Sequence, residues 1–317
     1  MKRPTVSTLV LVLSLATSFL VAGCGTEKKK DGKLVIGMTL PSSAHPFFVT
    51  LKSHVMDEAQ KLGVTVISAD AEDVAAKQMA IVEDFVSRGV DGVLMAPISA
   101  DALVPAVEKL NAAKIPVATV DRKVAEGIVL VHVGADNVEG GRVAARYLIT
   151  RLGGKGGIIE LEGLPCSSPA IDRKKGFEEV LGTSGVKILA SQSAQFYRAK
   201  GQSVMENLLQ AHSDFQGVYA ANDEMILGAL EAMEAKGIKL SGVVTIGYDA
   251  IPDAVDAIRK GRLTATIEQF PGQQARRALQ VLVAHLRNGK SPTSREIYLK
   301  PIAIDKDNLD KMERKAP

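Results

Sequence analysis

LVIGMTLPSSAHPFFVTLKSHVMDEAQKLGVTVISAD (34–70) contains a complete strand–helix–strand unit. An apolar run (34–40) leads into a short polar loop, then a segment of helical period (47–62), then a second apolar run (64–69) ending in Asp70. The same alternation continues along the chain. Strand-like runs recur at 92–96, 116–120, 129–134, 157–162, 187–191, 217–221, 243–247, 264–268 and 296–304, and amphipathic segments fall between most of them, at 74–88, 100–113, 138–151, 199–211, 223–236 and 271–287. Strands alternating with helices at this spacing predict parallel sheets covered by helices on both faces, an α/β fold. Only DRKVAEGI separates the runs at 116–120 and 129–134, and this break marks the passage to a second domain. The helix at 271–287 and the run after it predict a return to the first.

The N-terminus reads differently. Lys2 and Arg3 precede a short apolar core, LVLVLSLATSFL (9–20), which fits the h-region of a secretory signal peptide rather than a membrane span. Leu20-Val21-Ala22-Gly23-Cys24 resembles the lipobox of bacterial lipoproteins, which implies a signal peptide over 1–23, a lipidated Cys24 and a polar tether over 24–33. An exported protein, periplasmic or at the cell surface and held to a membrane by its N-terminal lipid, is the expectation.

Composition narrows the partners. Residues 1–31 hold five Lys/Arg against two acids, so they carry the whole net charge of +3. The remaining chain is neutral, which argues against nucleic acid. Cys166 is the one cysteine beyond Cys24, so an internal disulfide is not expected. The five histidines (45, 54, 132, 212, 285) show no metal-ligand spacing. GGKGG (153–157) follows a helix and precedes a strand, the reverse of a dinucleotide-binding loop, and reads as a helix end and turn. Neither a metal nor a cofactor is expected, and no catalytic constellation marks an enzyme.

Polar residues that end strands are the candidate site. Asp121-Arg122, Asn222-Asp223, Tyr248-Asp249 and Gln269 each follow an apolar run. Ligands of open parallel sheets bind beyond the carboxyl ends of strands, although a single Asp or Asn there often only caps the next helix. The aromatic pair Phe47-Phe48 sits at another such turn. These residues lie about 100° apart on a helix, so they do not both fit the stripe of Leu51, Val55, Ala59 and Leu62.

HPFF (45–48), IPVATVDR (115–122), ADNVEGGRVAARYL (135–148), PAIDRKKGF (169–177), ASQSAQFYRAKG (190–201), ANDEMILGAL (221–230), GYDAIPDA (247–254) and TATIEQ (264–269) together resemble the periplasmic sugar-binding proteins of the ribose-binding type, receptors of ABC importers. The resemblance covers 33–304. It implies two similar doubly wound domains joined by three crossings, with the ligand in the cleft between them. The lobes would comprise 34–135 with 270–298, and 136–269 with 299–317. It implies that Phe47, Phe48 and Phe196 sandwich a sugar ring. Asp121, Arg122, Arg173, Asn222, Asp249 and Gln269 would bond its hydroxyls, and Tyr248 would belong to the ligand-binding set with them. His45 would either bond a hydroxyl or only cap the helix begun by Pro46. The partners implied are a monosaccharide or polyol and an ABC permease, with the receptor a monomer. A chemotaxis or quorum-signalling receptor of the same fold is the alternative. Sugar-responsive repressors share the fold too, but carry a DNA-binding headpiece where this chain has an export signal. The family pattern has asparagine at His45, serine at Met38 and phenylalanine at Tyr248, and a shorter first loop. These departures argue against D-ribose itself, and PAIDRKKGF also resembles the galactofuranose-binding branch, which keeps a hexose open.

Overall fold

The computed structural model describes residues 32–313, together with Met1. The expected signal peptide, Cys24 and most of the expected tether lie outside the described residues. In chain order the elements are β1 (Val35–Leu40), α1 (Pro46–Leu62), β2 (Thr65–Asp70), α2 (Ala75–Ser87), β3 (Gly92–Met95), α3 (Val104–Ala112), β4 (Val117–Val120), β5 (Val131–Ala135), α4 (Asn137–Arg151), β6 (Lys155–Glu162), α5 (Ser168–Leu181), β7 (Gly185–Ser193), α6 (Arg198–Ala211), β8 (Gly217–Ala220), α7 (Asp223–Ala235), β9 (Val244–Ile246), α8 (Pro252–Arg259), β10 (Thr266–Glu268), α9 (Pro271–Asn288), β11 (Glu296–Leu299) and β12 (Ile302–Ile304).

The strands form a six-stranded sheet of order β11-β5-β4-β3-β1-β2 and a four-stranded sheet of order β7-β6-β8-β9, both wholly parallel, with β10 and β12 as an antiparallel pair. Each sheet is covered on both faces, so its central strands read as continuous apolar runs rather than alternating ones. On one face of the first sheet, α1 and α9 enclose Leu51, Val55, Leu279 and Leu282; on the other, α2 and α3 enclose Val82, Phe85, Val107 and Leu110. The second sheet has a core under α4 and α5 around Phe177 and Tyr219, and another under α6, α7 and α8 around Met205, Met225 and Ile258.

Two expectations from the sequence are corrected. The strands flanking DRKVAEGI are neighbours in one sheet, and the chain leaves that sheet only after β5. The run at 296–304 is two strands, not one: β11 pairs with β5 in the first sheet, and after Lys300-Pro301 the chain pairs with β10 as β12. Proline has no amide hydrogen to continue a ladder, which makes Pro301 a natural break. The first half of GGKGG ends α4 as expected, with Gly153 (φ 66°) and Gly154 (φ 83°) in the left-handed region where glycine is at little cost, whereas Lys155, Gly156 and Gly157 already open β6.

A cleft between the two sheets

The carboxyl ends of the strands place the candidate residues. His45 and the two phenylalanines follow β1, Asp121-Arg122 follow β4, Phe196 follows β7, Asn222 follows β8, Asp249 follows β9 and Gln269 follows β10. Together with Arg173 from α5 they line one cleft. Pro46, Pro169, Glu224 and Ile251, none of them expected as a site residue, line it as well.

The apolar walls come from both sides. Phe47 and Phe48 meet edge to face at 5.2 Å, and both also belong to the core beside α1, so the helix stripe is wider than its spacing predicted. Phe196 stands on the side of the second sheet. The Arg122 guanidinium lies 5.2 Å from the Phe48 ring and 5.6 Å from the Phe196 ring, and donates to the Ile98 carbonyl at 3.3 Å. A cation near two aromatic faces is favoured by the ring quadrupoles.

The polar side is built around Arg173, which is buried. Its Nε donates to Asn137 Oδ1 at 2.8 Å, one terminal nitrogen donates to the Ala221 carbonyl at 2.7 Å, and its carbon sits 3.6 Å from the centre of the Tyr248 ring. Asp249 Oδ1 lies 3.6 Å from the same terminal nitrogen and accepts from Gln269 Nε2 at 2.6 Å. Burial pushes Asp249 up to about 7, against the pull of Arg173, and raises Asp121 above the usual carboxylate range, against Arg122 and Arg173. Asp121 Oδ1 is buried without a hydrogen-bond partner. An orphaned carboxylate oxygen is costly, and a hydroxyl donor in the cleft would relieve it. Asp121 (φ 63°), Phe196 (φ 69°) and Asp249 (φ 115°) all sit at positive φ. Strain of this kind gathers where a fold holds groups for a ligand.

Three expected residues need correction in role or place. Tyr248 is fully buried and does not line the cleft; its ring underlies Arg173, and its hydroxyl approaches Asn137 Oδ1 at 3.4 Å. Met38 is fully buried in the core beside α1, so the serine-to-methionine departure changes packing rather than the wall of the cleft. His45 makes no side-chain cap on α1; its Nε2 lies 3.3 Å from Asp73 Oδ2. Asn222 does cap, accepting from Met225 N at 3.0 Å, while its amide donates to the Phe196 carbonyl at 3.1 Å. Each amide nitrogen carries two hydrogens and each carbonyl oxygen two lone pairs, so Asn222 keeps capacity for a ligand. Asn137, which aims Arg173, was not found from sequence; its position as the first residue of α4, next to the helix cap Asp136, disguises it.

Residues 36–291 match the periplasmic binding protein domain family. The chain belongs to this family. It is 39% identical over 268 residues to the ribose import binding protein of Salmonella typhimurium, covering 84% of this chain and 90% of that protein. It is 32% identical to the galactofuranose-binding protein of Escherichia coli, over 88% and 91% of the two chains. The crystal structure of the Caulobacter myo-inositol binding protein bound to myo-inositol superposes with a TM-score of 0.86 at 33% identity, covering 91% of this chain and 99% of that one. A periplasmic binding protein accounts for the two parallel-sheet layers and for a cleft whose walls come from both.

Proposed function

We propose that this periplasmic binding protein is the substrate-binding component of an ABC-type sugar importer. It would take a monosaccharide, pentose or hexose and in furanose or pyranose form, or a related polyol, closing its lobes on the ligand and presenting the closed form to a permease. One observation carries the reading: three phenyl rings and a connected set of buried charged and amide groups face a single cleft, with an Asp121 oxygen left unpaired. A sugar has apolar C–H faces and a polar rim, which aromatic walls and charge-assisted hydrogen bonds complement. In this reading Phe47, Phe48 and Phe196 cover the ring, and Asp121, Arg122, Arg173, Asn222, Asp249 and Gln269 take the hydroxyls. Tyr248 supports Arg173 from below. Sheet membership supports lobes of 34–135 with 270–298 and of 136–269 with 299–317, except that Leu299 pairs with Ala135 in the first sheet.

Isothermal titration across pentoses, hexoses and polyols tests the assignment. Binding tighter than about 1 mM by at least one of them is expected, and none at that level would overturn it. Export, anchoring through a lipidated Cys24 and a monomeric receptor belong to the same reading. A Cys24→Ser chain is expected to leave the membrane fraction and appear in the soluble one.

A further inference from the structure

The seam between the two sheets is joined by groups that do not line the cleft. Asp73 lies in the loop after β2, on the side of the first sheet, and Tyr197 precedes α6 on the side of the second. The Tyr197 hydroxyl donates to Asp73 Oδ2, the same oxygen that lies 3.3 Å from His45 Nε2. The His45 and Tyr197 rings stand 4.9 Å apart, tilted by 43°. One carboxylate oxygen thus serves a residue from each lobe. Partial burial and the bond to Asp73 push the Tyr197 phenol up to about 12, so it remains a donor at neutral pH.

The backbone at the seam gives a second, independent observation. Glu72 (φ 51°) and Asp73 (φ 56°) are consecutive non-glycine residues in the left-handed region, and so are Gln195 (φ 55°) and Phe196 (φ 69°) directly before Tyr197. Such pairs are disfavoured and persist only where the surroundings hold them. Asp73 N donates to the Pro41 carbonyl at 2.8 Å, and Gln195 N to Ser193 Oγ at 3.3 Å. Two strained loops therefore meet across the seam, each aiming one member of the hydrogen-bonded set.

We propose that His45, Asp73 and Tyr197 form a latch across the lobe seam, which stabilises the closed form. The inference rests on the reading of the cleft as a hinge-closing sugar site. Asp73 and Tyr197 do not line the cleft, so their contribution is the same for every ligand that closes the lobes. They set how tightly the receptor holds, whereas the cleft residues set which sugar it holds.

The test compares full-length wild type, Tyr197→Phe, Asp73→Asn and the double variant by isothermal titration with D-ribose, D-galactose and myo-inositol. The phenylalanine keeps the ring packing, and the asparagine keeps the shape. Each single variant is expected to raise Kd by about three- to tenfold, by a common factor for every ligand that binds. The double variant should lose less than the product of the two single factors, because both changes act on the one Tyr197–Asp73 hydrogen bond. Unchanged Kd in Tyr197→Phe would overturn the latch. So would a factor differing by more than about threefold between ligands, since Tyr197 would then be a sugar contact. Wild type that binds none of the three sinks the sugar reading for this panel, and the latch is then judged by X-ray scattering of the ligand-free proteins. A larger radius of gyration for Tyr197→Phe than for wild type supports it, and superimposable curves refute it.

Discussion

Arg173 shows how much of the site depends on one side chain. It reaches Asn137, Ala221, Asp249 and Tyr248 at once, which leaves little rotamer freedom to lose on binding. Arg173→Ala removes the cation that opposes burial at both Asp249 and Asp121, so both carboxyls move further toward the neutral form. Arg173→Ala and Asp121→Ala are each expected to lose at least about tenfold in sugar affinity by titration, as a charged bond in a dry site should. Near-wild-type affinity in both would show that the ligand binds elsewhere. Strand-end placement made Asp121, Asn222, Asp249 and Gln269 legible in the sequence, because a polar residue ending a buried strand must leave the core. Arg173 lies on a helix and was implied only by family resemblance. Asp73 and Tyr197, 124 residues apart, form a pair that no local pattern reveals. Glu160 gives a separate test at this scale. It is buried in β6 with Ser191 Oγ at 2.7 Å, and burial pushes its carboxyl up to about 7. Folding therefore favours its protonated form. That contribution is complete below about pH 4.5 and is lost as pH rises through 7, at most about 3 kcal/mol. Glu160→Gln should match wild type in Tm near pH 4.5 and exceed it near pH 8; parallel pH profiles would refute the assignment.

At the scale of elements, two helix pairs approach so closely that glycine is required at the crossing. A Cβ at Gly176 of α5 would lie 1.9 Å from the Val138 carbonyl oxygen, and one at Gly141 of α4 would lie 2.1 Å from that of Arg173. Between α6 and α7, Gly201 and Gly228 face Met225 and Arg198 backbone oxygens in the same way. Backbone cannot yield as a side-chain tip does, so Gly176→Ala must separate α4 from α5. Overpacking of this kind costs about 1–3 kcal/mol. Because Arg173 lies one turn before Gly176, sugar affinity should fall together with Tm. Gly242→Ala, where a Cβ meets nothing within 4 Å, should change neither. Preserved affinity in Gly176→Ala would mean that helix spacing does not position Arg173. Element type was legible because apolar runs of strand length alternate with helical periods over most of the chain. The split at Lys300-Pro301 was not, since a short apolar run looks the same whether one sheet or two receive it. Periodicity alone misplaced the transfer at DRKVAEGI for a related reason: β4 and β5 pair directly, so the missing helix did not mark the boundary.

At the scale of the whole molecule, closure is a set of bonds made between lobes, and the backbone takes part in it. Ala100, in the loop after β3, donates its amide to the Cys166 carbonyl at 3.0 Å, and Lys123 N donates to Ser168 Oγ at 2.8 Å. Ala100 and Cys166 belong to opposite lobes, and Cys166 is exposed. Residues joined by a backbone hydrogen bond typically have Cα atoms about 5–6 Å apart, within the range a disulfide spans. Ala100→Cys in a Cys24→Ser background should therefore form a disulfide with Cys166 and lock the lobes together. Oxidised without sugar, the variant should bind nothing in titration, because the cleft cannot open to admit a ligand. Oxidised with sugar present, it should retain the ligand through dialysis and release it on reduction. Reduction should restore wild-type affinity in either case. If the oxidised variant, shown crosslinked on a non-reducing gel, still exchanged sugar freely, entry would not require the lobes to part at this seam. The hinge would then have to open around a pivot that leaves Ala100 and Cys166 in contact.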